Sequence, residues 1–401
     1  METTTPPPGT EPHDVPATPG QLAWLREQLV DWRLEGLVDD PTAHAILGRY
    51  HESRRFSLAR LLLGLGACFV GVGTIWLVAA NLDQLSPLVR FVAVVVLWLA
   101  ALVGAEVLEG RRSSPLLVGA VRTLAALGTG AVVFQAAQSL QVPAYEPRLV
   151  GVWGLGALLH AYVTGARGPL VVGVAGAVGW TLWEGLVPDP TFTAGVLLVT
   201  GTGAAALAAA ALHERWRPAF ADTWRHVGAA LLLVGLFVAG LPVPEEWLLD
   251  DWLPVAVVAL AVVASVAAVL LGRTRARWEV LGGVAVLGVA ALLAAWTPGG
   301  DPDALSAADV WRALVGVVAY VVLAVGVAAV GTLRDATLLT LMATLGLVVF
   351  TTFQSFAVFA PIVQGAWLFL LLGLVLAATG IGFDRTRRRL AASLDQEEEL
   401  R

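Results

Sequence analysis

The sequence predicts an all-α fold: a polytopic transmembrane bundle of about twelve membrane-spanning helices, preceded by a small N-terminal helical hairpin. Three observations carry this expectation. Of 401 residues, 57% are hydrophobic and 14% charged, whereas soluble domains carry about 25% charged residues. Apolar runs of about 18 to 24 residues recur from Ala59 onward, the length a helix needs to cross some 30 Å of hydrocarbon. Alternating ten-residue strands are absent, which disfavours a membrane barrel.

Residues 1–18, Pro- and Thr-rich and acidic, lack the basic start and apolar core of a cleavable signal and read as a disordered tail. Residues 19–57 follow as a cytosolic hairpin. Leu22, Leu25, Leu29 and Trp32 recur at helical spacing and give its first helix one apolar face. Gly36 suits the stop. Asp40 before Pro41 suits the next start, with Ala45, Ile46 and Tyr50 as contact residues of the second helix.

The transmembrane domain is expected over 58–383 and a charged cytosolic tail over 384–401. The spans fall at roughly 59–80, 87–108, 116–139, 148–165, 168–187, 192–212, 225–241, 252–271, 277–296, 309–331, 335–357 and 361–382. Arginines check this division independently. Eighteen lie in the terminal flanks and even-numbered connections, from Arg49 to Arg389, against three (Arg90, Arg148, Arg312) in the odd-numbered ones. The positive-inside rule then puts both termini in the cytoplasm. Ser86-Pro87 reads as the start of the second span, an N-cap with proline at the first position. Trp76, Trp98, Trp183, Trp247, Trp252, Trp296 and Trp311 fall mostly near span ends and read as interfacial anchors.

"AVVFQAAQSL" at 131–140 and "LVVFTTFQSF" at 347–356 share five of ten residues. The offset suggests a parallel repeat of spans 1–4 and 9–12, an arrangement used by transporters.

Chemistry is narrowed mostly by exclusion. The one cysteine, Cys68, rules out an intrachain disulfide. All 25 basic residues are arginine, which removes P-loop, Schiff-base and Ser–Lys chemistry. No HExxH, GxSxG or metal-spaced cluster is present, so no cofactor, metal or nucleic-acid partner is expected. A dispersed catalytic constellation stays open, leaning against an enzyme.

Two polar groups inside the apolar spans carry the candidate sites, since buried ionisable groups are costly. Glu106 ends the second span and Arg122 begins the third across the tight "EGRRSSP" turn. They are expected to pair, either as a structural bond fixing the hairpin or as part of a relay, with His160 at the same depth. At the other face Gln135, Gln138 and Gln141 share one side of a helix. Asn81, Asp83, Gln84 and Arg90 arrive at that level, with Glu146, Arg148, Glu184 and Gln354. Two arrangements satisfy these groups: interhelical hydrogen bonding, or an outward-facing polar pocket for a small solute or lipid headgroup formed by Asn81, Asp83, Arg90, Gln135, Gln138, Gln141, Glu184 and Gln354.

The hairpin's W-x-x-E-G-L-V, the glycine-rich "LLLGLGACFVGVGTIWLVAANLDQLSPLVRF" and "GTGAVVFQAAQSLQVP" together resemble the bacterial membrane proteins classed as domain of unknown function 2157, over about residues 20–185. Asn81 and Arg90 match that pattern. Leu82 stands where tryptophan is usual, and Gln138 is followed by Ser139 and Leu140 instead of an aromatic turn. The resemblance implies a bacterial inner-membrane protein and assigns no activity. The leading expectation is binding or transport of a small polar or amphiphilic solute. A scaffold or sensor recruiting a cytosolic partner through the hairpin, and an intramembrane transferase on lipid-linked substrates, are the alternatives.

Overall fold

The structure, a computed structural model, describes residues 15–17, 19–52, 69, 86–141, 146–187, 190–243, 251–296 and 306–359. The expected spans at 59–80 and 361–382 and the tail from 384 lie outside the described residues. So does half of the proposed repeat. The chain divides into two compact units, 1–81 and 82–401.

In the first unit, helices α1 (Pro19–Leu34) and α2 (Asp40–Leu47) stand where the sequence places them. Leu22 and Leu29 are buried, and Gly36 takes the left-handed conformation after α1, φ 73°. The second helix departs from expectation by one residue. Its N-cap is Asp39, whose side chain accepts the Thr42 N–H at 3.0 Å. Hydrogen bonds from Thr42, first with its side chain and then with its main chain, hold the Asp39 carboxyl below its ordinary value. The shifted start makes Ala43 the buried contact of α2, leaving Ala45 and Tyr50 exposed. Tyr50 lies past the helix end, in a three-residue strand, Tyr50–Glu52, that pairs in parallel with Val15–Ala17. The sequence places Val15–Ala17 in the tail; among the described residues they form half of the only sheet.

The second unit holds ten described helices: α3 (Pro87–Gly110), α4 (Pro115–Ser139), α5 (Pro147–Thr164), α6 (Arg167–Leu186), α7 (Phe192–His213), α8 (Pro218–Ala239), α9 (Trp252–Leu271), α10 (Thr274–Ala295), α11 (Ala307–Leu333) and α12 (Thr337–Phe359). Each falls on one expected span. Eight of them (α3, α4 and α6–α11) are long and apolar enough to cross a membrane. Proline opens α3, α4, α5 and α8 at the first turn, where its missing N–H costs nothing. A capping box of Ser306 and Asp309 opens α11.

α8 begins seven residues before the expected 225. Arg225 reads in the sequence as the edge of a loop, but inside the fold carboxylates neutralise it, so the helix runs through it.

Two groups of helices result. In the first, α3 packs on α4, α4 on α5 and α6, and α5 on α6. In the second, α7 lies at the centre with α8, α9 and α10 around it, while α11 and α12 pack on α8 and on each other. The sequence of α7, "FTAGVLLVTGTGAAALAAAALH", explains its position. Alanine, glycine and threonine lie on every side of it, so neighbours can approach from all directions, and Thr193, Thr200, Ala208 and Ala210 are all buried. Beside it, Tyr320 of α11 stacks on Phe350 of α12 with ring centroids 3.9 Å apart. By contrast, α3 presents Val92, Val96, Leu99 and Val103 outward.

The two groups meet along a narrower seam, where α6 packs on α7 and α8. Leu170, Val174 and Phe220 form its buried centre.

Candidate functional site

Three buried arginines organise the second unit. Arg122, one to two turns into α4, donates to Glu106 of α3 at 2.9 Å and bonds Glu109 as well. The short turn after α3 brings these antiparallel neighbours together, so Glu106 and Arg122 meet. Glu109, one turn on, is a second partner that the sequence reasoning did not include. His160 of α5 stands within electrostatic reach of both Arg122 and Glu106, and its Nδ1 is buried without a hydrogen-bond partner among the described residues.

The second assembly was not anticipated. Arg225 of α8 bonds Glu214, just past α7, and Glu279 of α10 at 2.8 Å. Arg334, just past α11, bonds the same two carboxylates, Glu214 at 2.6 Å and Glu279. Two cations and two anions therefore alternate in a closed ring that ties four helices together near one face. Asp222 adds a bond to Arg225 at 3.0 Å. Arg225 and Glu214 are buried, so each charge is offset where an isolated one would be strongly disfavoured.

At the opposite end Arg312 of α11, also buried, bonds main-chain oxygens. It donates to Trp296 at 2.9 Å, Leu241 at 2.9 Å, Ala239 at 3.1 Å and Leu293 at 3.2 Å. These carbonyls belong to the last turns of α8 and α10 and the residues beyond. They lack intrahelical partners and carry the negative end of each helix dipole. One guanidinium, with five donors in a fixed fork, caps both helices.

The residues expected at an outward pocket are only partly brought together. Asn81, Asp83 and the side chain of Gln354 lie outside the described residues. Arg148 stands 3.6 Å from both Glu146 and Glu184. Gln135 is half-buried and Gln138 exposed on the last turns of α4; Gln141, expected on the same helix face, instead lies past the helix end at Ser139, exposed and with φ 58°. Arg90 sits on the first turn of α3, its N–H on the Ser86 carbonyl at 3.1 Å. Trp98 departs from interfacial anchoring: its indole donates to Thr129 at 3.2 Å and packs against α4.

A surface depression lies at the other end of the molecule from Gln138, where the seam reaches the arginine-rich face. It is lined by residues 163–165, the α5–α6 turn, and 217–220, the α7–α8 turn. Behind it Tyr162 of α5 and His213 of α7 are 2.7 Å apart across the seam. The other ring nitrogen, His213 Nδ1, lies 2.6 Å from the Ala209 carbonyl, which can only accept. Nδ1 therefore carries the proton and Nε2 accepts the tyrosine hydroxyl. Phe220 packs edge-on against Tyr162.

Residues 30–170 match the family model described as predicted membrane protein (DUF2157). The match spans the last turn of α1, all of α2, and α3 to α5, and so includes the Arg122 cluster and one wall of the depression. It agrees with the resemblance carried by the W-x-x-E-G-L-V and "GTGAVVFQAAQSLQVP" motifs. No curated protein and no solved structure matches the chain. The chain is a multi-pass membrane protein; the ring of Glu214, Arg225, Glu279 and Arg334 lies beyond the matched segment.

Proposed function

We propose that the chain resides in a bacterial cytoplasmic membrane, both termini inside, and binds or moves a small polar or amphiphilic solute along the seam between α3–α6 and α7–α12. One observation carries this reading: the strong polar bonds close within each group. Arg122 and its two glutamates bind α3 to α4. The ring and Arg312 bind α7, α8, α10 and α11. Across the seam stand apolar packing and the neutral Tyr162–His213 bond. Two internally fastened bodies with a lightly fastened seam can rock against each other, which is how alternating access works.

The test is a distance measurement in nanodiscs between spin labels, with Cys68 replaced by alanine. A pair across the seam, Val163 and Trp278, should give a broad or two-peaked distribution. A pair within the second group, Trp216 and Trp278, should give a narrow one. All four side chains involved in these pairs and their control are exposed, including Val152 on α5 as a second reference. A single narrow peak for Val163–Trp278 would overturn the reading. That outcome would favour a rigid membrane scaffold, which Trp24, Leu34 and Leu37, apolar and exposed on the first unit, would suit as a recruiting surface.

A further inference from the structure

Several arginines of the arginine-rich face have found partners inside the protein. Arg122, Arg225 and Arg334 are closed by carboxylates. Arg215 turns onto the Leu271 carbonyl at 3.0 Å and Arg277 onto that of Gly272 at 3.2 Å. Arg217 meets no carboxylate among the described residues. Its guanidinium lies over the Phe220 ring, 5.2 Å from the centroid. One terminal nitrogen reaches over Gly165, 3.2 Å from where a Cβ would stand.

The surroundings define what could satisfy it. The guanidinium is half-buried in the depression, and the walls contributed by Val163, Pro218 and Phe220 are apolar. Two donors nearby are spent: the Thr164 hydroxyl goes to the His160 carbonyl at 2.8 Å and the Gly165 N–H to Ala161 at 2.8 Å. Pro218 has no N–H, and that of Phe220 goes back to Arg217. The charge of the site is therefore the guanidinium's alone. A cation left without a counter-charge beside apolar walls costs free energy that an anion would recover. Neighbouring Trp216 is 83% exposed, as suits an indole at headgroup level.

We propose that this depression is a phosphate site for an anionic phospholipid: the headgroup phosphate on Arg217, the glycerol and upper chain against Val163, Pro218 and Phe220. The site needs only the arrangement seen here, in which both turns that build it are present, and does not rest on the seam's opening. A free phosphate would satisfy the guanidinium and leave the apolar walls uncovered.

Native mass spectrometry of the full chain, released from nanodiscs of equal phosphatidylglycerol and phosphatidylcholine, tests it. Wild type should retain phosphatidylglycerol in preference. Arg217→Gln should lower its retention about fivefold, the size of one basic contact at a membrane surface. Ala219→Leu, which fills the depression and keeps the charge, should lower it comparably, and the exposed neighbour change Arg215→Gln should lower it clearly less, since that guanidinium already donates to the Leu271 carbonyl. Thermal melts of the same preparations show whether each variant is folded. Unchanged retention in Arg217→Gln or Ala219→Leu would overturn the site, as would an equal loss in Arg215→Gln. Displacement of the lipid by inorganic phosphate would overturn the lipid assignment in favour of a free anion.

Discussion

Arg225 illustrates what a single buried charge demands of a membrane fold. Replacing it with methionine would leave Glu214 and Glu279 sharing one cation, Arg334, in a buried setting. Removing one member of such a network costs about 3–5 kcal/mol, because the stranded charge is penalised more than the lost bond was worth. Arg225→Met should therefore melt well below wild type in detergent. Adding Glu214→Gln to it should recover part of the loss, since one uncompensated carboxylate is removed. Arg122 should behave differently because it has two carboxylates of its own. Glu106→Gln or Glu109→Gln alone should cost less than about 1 kcal/mol, since the remaining carboxylate holds the guanidinium. The double variant should cost more than the two together, by about 1–3 kcal/mol in a double-mutant cycle. Strict additivity would mean that the two glutamates act independently and do not share the guanidinium. Glu106–Arg122 was legible in the sequence because a tight turn forces the two helices side by side. The ring was not, because Glu214, Arg225, Glu279 and Arg334 come from four different helices, two at helix ends and two within the first two turns. At a helix end a charge is ordinary, and nothing in the local pattern shows which ends converge.

Among the elements, helix identity and order could be read directly from apolar run length, and failures came where a charge was internally paired. α8 is the instance: hydropathy breaks at Arg225, whereas the helix starts at Pro218. Close approach between elements was readable as composition but not as partner choice. Glycine in "LVGVWGLG" and "VVGVAGAVG" signals tight packing; only the structure joins Gly154 of α5 to Gly176 of α6. A Cβ on Gly154 would come 2.7 Å from the Ala177 nitrogen, and one on Gly176 would come 2.7 Å from the Gly154 Cα. Main chain faces main chain there, so no side chain can yield. Gly154→Val should push α5 and α6 apart and lower thermal stability. Gly104→Val on α3, where nothing lies within 4 Å, should be close to neutral. Similar melting of the two variants in one preparation would show that the α5–α6 contact is not this close in the membrane.

For the whole molecule, the arginine count predicts which way the bundle faces, and the fold gives that expectation a physical basis. The ring gathers the ends of α7 and α11 with residues one to two turns inside α8 and α10 at one face, and Arg111, Arg112, Arg167, Arg215 and Arg273 lie at helix ends on that side. The other face holds Arg90, Arg148 and Arg312, of which Arg312 is withdrawn into the protein to cap α8 and α10. The charge asymmetry felt during insertion is thus sharper than the sequence count suggests, because at one face a guanidinium is hidden and at the other several stand in water. Retention of positive loops inside should place Trp216 on the cytoplasmic side and Leu140 on the outer one. Both are exposed, at 83% and 76%, so each can carry a single reporter cysteine once Cys68 is replaced. In intact cells an impermeant maleimide should label the Leu140→Cys variant and leave Trp216→Cys untouched until the membrane is permeabilised. Labelling in the reverse order would invert the bundle, put the Arg217 depression on the outer leaflet, and show that internally paired arginines do not govern the orientation of this fold.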